Sequence, residues 1–161
     1  MIVVVMGVSG CGKSSVGRGL AEAVGWPFFD ADDFHPESNI RKMAGGTPLT
    51  DEDRMPWLER LRDLLAEQQA RGHSAVLACS ALRQSYRDIL AARVTDVHWV
   101  HLHGTLEEVR RLMERRSGHF MKTGMLQSQF QTLELPANAI ELPVTLTVAA
   151  QVRLIRERLH L

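Results

Sequence analysis

The chain has 161 residues, 45% of them apolar and 24% charged, which are ordinary values for one folded unit around a single core and exclude a disordered or repetitive chain. Nineteen basic residues balance nineteen acidic ones, so no global field draws the chain to nucleic acid and any anion must be gripped locally. Two cysteines, Cys11 and Cys79, are too few for a disulfide framework or a zinc site, and the apolar start is too short to cross a bilayer and lacks the flanks of a signal peptide, so reduced thiols and a cytoplasmic protein working away from membranes are expected.

The run IVVVM at 2–6 suits a strand buried on both faces, and after the loop GVSGCGKS the recurrence of Val16, Leu20 and Val24 every four residues predicts a helix. WPFFDADD predicts a short second strand ending in carboxylates, and SAVLACS (74–80) and VHWVHLHG (97–104) predict two more buried strands. A helix follows each of these last two. ALRQSYRDIL puts Leu82, Tyr86 and Ile89/Leu90 on one face, and TLEEVRRLMERR opens with a capping box, Thr105 to Glu108, ahead of a stripe of Leu106, Val109, Leu112 and Met113. AIELPV marks a last strand only weakly, since it carries Pro143, and Val148, Val152, Ile155 and Leu159 predict the final helix. Such alternation implies a parallel sheet with helices on both faces and ligands at the carboxyl ends of its strands. Two stretches interrupt the alternation, about 35–72 and about 117–136, and are expected as insertions over that edge.

Gly7, Gly12, Lys13 and Ser14 satisfy G-x-x-x-x-G-K-[ST] between a buried strand and a helix, the context that a phosphate-binding loop requires. Backbone N–H groups of such a loop converge on an anion, which makes Gly7, Ser9, Gly10, Cys11, Gly12, Lys13, Ser14 and Ser15 the candidate nucleotide-binding residues. Lys13 supplies a cation for the β- and γ-phosphates, and Ser14 can ligate the magnesium that bridges them. Cys11 reads as a small side chain in a tight loop, with a reactive thiol as the alternative. Asp30 and Asp32 leave the second strand on the same face, at the ligand edge. There Asp30 can hold a magnesium water and Asp32 can accept the proton of an incoming hydroxyl; the alternative is that one acid of this run, Asp33 included, is only a helix cap.

The segment 35–61 is more polar and punctuated than a plain crossover helix, with His, Pro, Asn and Gly-Gly among charges. A helix following Pro56 would anchor it through Trp57/Leu58, Leu61 and Leu64/Leu65, leaving Arg54, just ahead of that helix, free to grip a carboxylate. Residues 115–136 mix arginines, Gly118, Gly124 and glutamines with scattered apolar side chains, a pattern that suits a flap better than a fixed core element.

Together GVSGCGKS, DADDFHPESNIRKMAGGTPLTDEDRMPWL, CSALRQSYRDIL and GHFMKTGMLQSQFQTLE resemble the gluconate kinase (gluconokinase) family over roughly residues 2–136. The resemblance implies one three-layer α/β/α P-loop kinase domain over 1–161, with a mostly parallel, five-stranded sheet, a substrate-binding insertion and a lid. It implies transfer of phosphate from ATP, with Mg²⁺, to the 6-hydroxyl of D-gluconate. It also places Asp32 near that hydroxyl, His35, Lys42 and Arg54 around the sugar acid, and Ser80 and Arg83 across the cleft. Arg115 or Arg116 would reach the migrating phosphoryl from the lid, and His119 would touch phosphate or sugar acid. His35 as a plain turn residue and Lys42 as a solvated helix charge stay open, as does a homodimer, and no adenine contact is assigned. The rival activities are a shikimate or nucleotide kinase and an NTPase switch, the last disfavoured by the lack of an N-K-x-D pattern.

Overall fold

The computed structural model describes residues 1–116 and 123–161. In chain order these form β1 (Ile2–Met6), α1 (Lys13–Val24), β2 (Phe28–Asp30), a 3₁₀ turn (Ala31–Phe34), α2 (Glu37–Ala44), α3 (Asp51–Ala70), β3 (Ala75–Ala78), α4 (Gln84–Ala91), β4 (Val97–His103), α5 (Leu106–Arg115), α6 (Thr123–Thr132), β5 (Ala139–Pro143) and α7 (Val148–Leu159). The five strands pair in the order β2-β3-β1-β4-β5, every pairing parallel. Proline closes β5 at the sheet's edge, where a missing N–H costs no ladder bond.

Period-two alternation along β1 divides the core. Val3 and Val5 face Val16 and Leu20 of α1, Val109 of α5 and Ile155 of α7, whereas Ile2, Val4 and Met6 face the layer made by α3 and α4. Leu58, Leu61 and Leu65 of α3, spaced by three and four, are fully or almost fully buried, each such burial being worth roughly 1.5–3 kcal/mol relative to exposure. The result is a three-layer α/β/α architecture.

Three local expectations are corrected. The helix expected after Pro56 begins at Asp51, because Thr50 and Asp53 form a capping box that nucleates it earlier, so Arg54 is the fourth helical residue rather than one ahead of the helix. Pro56 thus lies inside the helix, where it offers no N–H to the carbonyl of Glu52. The chain also leaves β2 as a 3₁₀ turn rather than an extended strand: Asp30 Oδ1 accepts the Asp32 N–H at 3.0 Å, so a helix cap and not strand alternation sets the two carboxylates. Finally, 81–83 is a loop with Ala81 at a φ of 45°, and the helix after β3 starts at Gln84. The outer stretches 35–72 and 117–136 contain α2 and α3 and, over the described part of the second, α6, whose Leu126 is 2% exposed within the core.

Candidate active site

The glycine loop runs from the end of β1 into α1, and its last glycine, Gly12, is the N-cap of that helix with a φ of 99°, a left-handed conformation that side chains rarely tolerate. Among the described residues no side chain caps α1, which leaves its first N–H groups able to meet an anion. A cleft of about 190 Å³ opens in front of them, lined by Gly10, Lys13, Ser14, Asp32, Ser80 and Arg116 among others. Lys13 Nζ donates to the Val8 carbonyl at 2.9 Å, which holds the ammonium against the loop. Cys11 turns its side chain into the core, 2% exposed, so only its backbone can serve the cleft. Cys79, also free and buried, lines the cleft from β3's end, where burial pushes its thiol up to about 12.

Two carboxylates meet this loop. Ser14 Oγ donates to Asp30 Oδ2 at 2.6 Å, which brings a hydroxyl and a carboxylate together on the cleft floor. Such hard oxygen donors suit Mg²⁺, which takes one or two protein ligands and completes its shell with phosphates and water. Asp32 stands at the mouth of the cleft, reachable by water yet flanked by protein. Burial, and then the charge of Asp30, raise its carboxyl above the usual range; Lys13 and His35 oppose the rise. His35 is stacked on Trp57, centroids 4.2 Å apart, and Trp57 Nε1 donates to the Ala31 carbonyl at 2.7 Å, which ties the 3₁₀ turn to α3. Burial lowers the imidazole's pKa despite Asp32, so His35 is neutral at pH 7.

Beside these, α3 and α4 build a cluster of guanidinium groups. Arg54 Nη1 donates to Tyr86 Oη at 3.1 Å, the tyrosine hydroxyl donates to Asp51 Oδ1, and Arg83 Nη1 lies 3.5 Å from Asp51 Oδ2. Both guanidinium groups also lie over the Tyr86 ring, at 5.5 and 6.0 Å. Lys42 Nζ reaches back from α2 to Asp53 Oδ2 at 2.6 Å, and that pairing and the Thr50 backbone hold the Asp53 carboxyl down at about 2. Lys42 therefore braces the capping box of α3.

A sequence model described as shikimate kinase matches residues 9–137. The gluconokinase of Gluconobacter oxydans (strain 621H) is 48% identical over 84% of this chain and 76% of its own length. The chain belongs to the gluconokinase family. A solved gluconokinase from Sinorhizobium meliloti 1021 is 42% identical and covers 98% of this chain and 94% of its own, with a TM-score of 0.86. Shikimate kinase from Aquifex aeolicus vf5, 17% identical over 99% of this chain and 96% of its own, has a TM-score of 0.57 and shares the fold alone. Shikimate kinases and gluconokinases thus share one scaffold, and the identity over most of the chain is to gluconokinases.

Within this gluconokinase scaffold the candidate residues fall into three places. Ser9, Gly10, Gly12, Lys13, Ser14, Asp30, Asp32, Ser80 and Arg116 line one cleft. Gly7 lies beneath it, its N–H donating to the Ser80 carbonyl at 3.3 Å. Ser15 joins from the exposed side of α1, its hydroxyl 3.4 Å from Arg116 Nη2. Arg54 and Arg83 form the neighbouring cluster with Tyr86 and Asp51, which the sequence reading missed because Tyr86 looked like a core residue of its helix. Its ring is indeed buried, but its hydroxyl reaches out. Arg115 is separated from Arg116 and lines a groove of about 430 Å³ between α5 and the loop after β5, with Arg111, Leu112, Val144 and Val148. His119 and residues 117–122 lie outside the described residues.

Proposed function

We propose that this chain transfers the γ-phosphoryl group of ATP to the 6-hydroxyl of D-gluconate, giving 6-phospho-D-gluconate and ADP. The observation that carries the reading is one cleft in which Lys13 and Ser14 on the phosphate loop stand opposite Asp32, with the Arg54 and Arg83 cluster alongside. An anion site and an anion-gripping pair, separated by a carboxylate able to take a proton, suit a donor phosphate and a hydroxy acid.

In this reading the free N–H groups at the start of α1 and the Lys13 ammonium hold the triphosphate, and the groove beside Arg115 takes the base. Ser14 and Asp30 would hold Mg²⁺, which supplies charge neutralisation at the β- and γ-phosphates when bound. Arg54 and Arg83 grip the sugar acid's carboxylate and so aim the far end of the polyol at the loop. Asp32 accepts the proton of the 6-hydroxyl as O6 bonds to the γ-phosphorus and the bond to the β–γ bridging oxygen breaks in line, with ADP leaving. Arg116, with Lys13, offsets the charge on the migrating group. His35, neutral and stacked, and Ser80 offer hydrogen bonds to sugar hydroxyls. A cytoplasmic setting, with its supply of ATP, fits this reading.

A steady-state assay with ATP and Mg²⁺ tests the reading, offering gluconate, shikimate or nucleoside monophosphates in turn. Formation of 6-phosphogluconate with gluconate alone is expected; turnover confined to another acceptor would overthrow it. Arg54→Ala should raise the KM for gluconate by about 10–100-fold, the cost of losing a charge-assisted contact. The KM for ATP should stay within about threefold, and an unchanged gluconate KM would remove Arg54 from carboxylate recognition.

A further inference from the structure

Gln129 lies on α6, outside the candidate residues considered so far, and closes on the apex of the glycine loop. Its side-chain carbonyl accepts the Ser9 N–H at 2.7 Å, and its amide nitrogen donates to Ser9 Oγ at 2.8 Å. Two hydrogen bonds thus join one side chain to one loop residue 120 positions away. Reciprocal pairing of this kind needs a donor and an acceptor side by side on one planar end, which a carboxamide supplies.

The helix that carries Gln129 is itself fixed at both ends of its described length. Leu126 is buried in the core, and beyond the last turn the Glu134 N–H donates to the Leu82 carbonyl at 2.8 Å. Arg87, 2% exposed, donates through Nη2 to the Glu134 carbonyl at 2.8 Å and through Nη1 to the Ala81 carbonyl at 2.7 Å. From the other side, Met113 of α5 packs so closely on Gly10 that an added Cβ would lie 2.3 Å from its Cγ. Ser9 and Gly10 are therefore held from outside by two helices. The Ser9 N–H points at Gln129 rather than into the cleft, so this residue's part in nucleotide binding is indirect.

We propose that Gln129 is a positioning residue for the nucleotide: by fixing Ser9 it holds the apex of the glycine loop in the shape that turns the N–H groups of the following residues toward the phosphates. The proposal rests on the reading of this cleft as the ATP site. A loop whose amides must converge on one anion loses affinity when its apex relaxes, because the ordering cost then falls on binding.

Gln129→Met keeps the side chain's length and removes both hydrogen bonds. The KM for ATP is expected to rise about 10-fold, with the KM for gluconate within about twofold of wild type, and the rise in Tm on adding ATP alone should shrink. Ser9→Ala removes only the Oγ contact; a shift of about two- to threefold in the same direction is expected, adding little when combined with Gln129→Met. A lowered Tm with the ATP response intact would overturn the proposal, since Gln129 would then merely dock α6. An equal rise in both KM values would overturn it as well. Should Gln129→Met fail to fold, Ser9→Ala decides, an unchanged KM for ATP counting against the proposal. Because the Tm response to ATP needs no gluconate, a chain that binds ATP but leaves gluconate unmodified would defeat the functional reading while still deciding the role of Gln129.

Discussion

Lys13→Ala is expected to lower kcat by about 10²–10³-fold while leaving the fold intact, the scale seen when one preorganised charge-stabilising donor is removed. The ammonium sits over the loop, donating to the Val8 carbonyl, and it lines the cleft that a triphosphate would occupy. Its charge is needed most as the β–γ bridge breaks and negative charge gathers on the leaving oxygens. Most of the loss should therefore appear in turnover. The substitution removes no core contact, because the buried residues of α1 are Val16, Gly17, Leu20 and Ala21, so its Tm should stay close to wild type. Near-normal turnover in Lys13→Ala, with a native circular dichroism spectrum, would take the glycine loop out of the chemistry.

Those parts of the site that depend on contiguous residues could be read from the chain alone. The glycine loop is such a case: strand, loop and helix are consecutive, and the chemistry of the loop is set by its own backbone. The Thr105 to Glu108 capping box was readable for the same reason, and both of its hydrogen bonds form. The start of α3 carries an equally local signal in Thr50 and Asp53, but Pro56, six positions after Thr50, is a competing first-turn signal that points to a later start. The choice between Arg115 and Arg116 could not be made by counting, because it depends on which side of α5 each arginine leaves; one faces the phosphate cleft and its neighbour the groove by β5. Gln129 and the Asp51–Tyr86 pair were out of reach on another ground. Their partners lie 120 and 35 positions away, and no periodicity within α3, α4 or α6 encodes those distances. A polar side chain on a half-buried helix carries no mark of the loop it will meet.

Asp32→Asn is expected to reduce kcat by about 10²–10⁴-fold, the usual worth of a positioned general base. The amide keeps the size of the carboxylate and loses its capacity to take a proton. The pH profile gives the sharper check. Burial and the nearby Asp30 charge raise the Asp32 pKa, more than Lys13 and His35 lower it, so the acid limb of kcat/KM should fall off above the ordinary carboxylate range. Below that raised pKa the carboxylate is protonated and cannot accept from the 6-hydroxyl; above it the rate should level. In Asp32→Asn the limb should vanish along with the activity it governs. Folding obeys the opposite sign. A carboxylate whose pKa is higher in the folded state than in the unfolded one binds its proton more readily when folded, so it costs stability as pH rises from the unfolded pKa through the folded one. At neutral pH that cost, the repulsion from Asp30 included, is fully present, and replacing Asp32 by an uncharged side chain removes it. The variant should therefore melt no lower than wild type at pH 7, and its advantage should fade as the buffer is taken down toward the unfolded carboxylate pKa. Lost activity with a raised or equal Tm is the signature of a residue held at a catalytic position against its own stability; a fall in Tm matching the fall in activity would make Asp32 a structural residue and move the base elsewhere in the cleft.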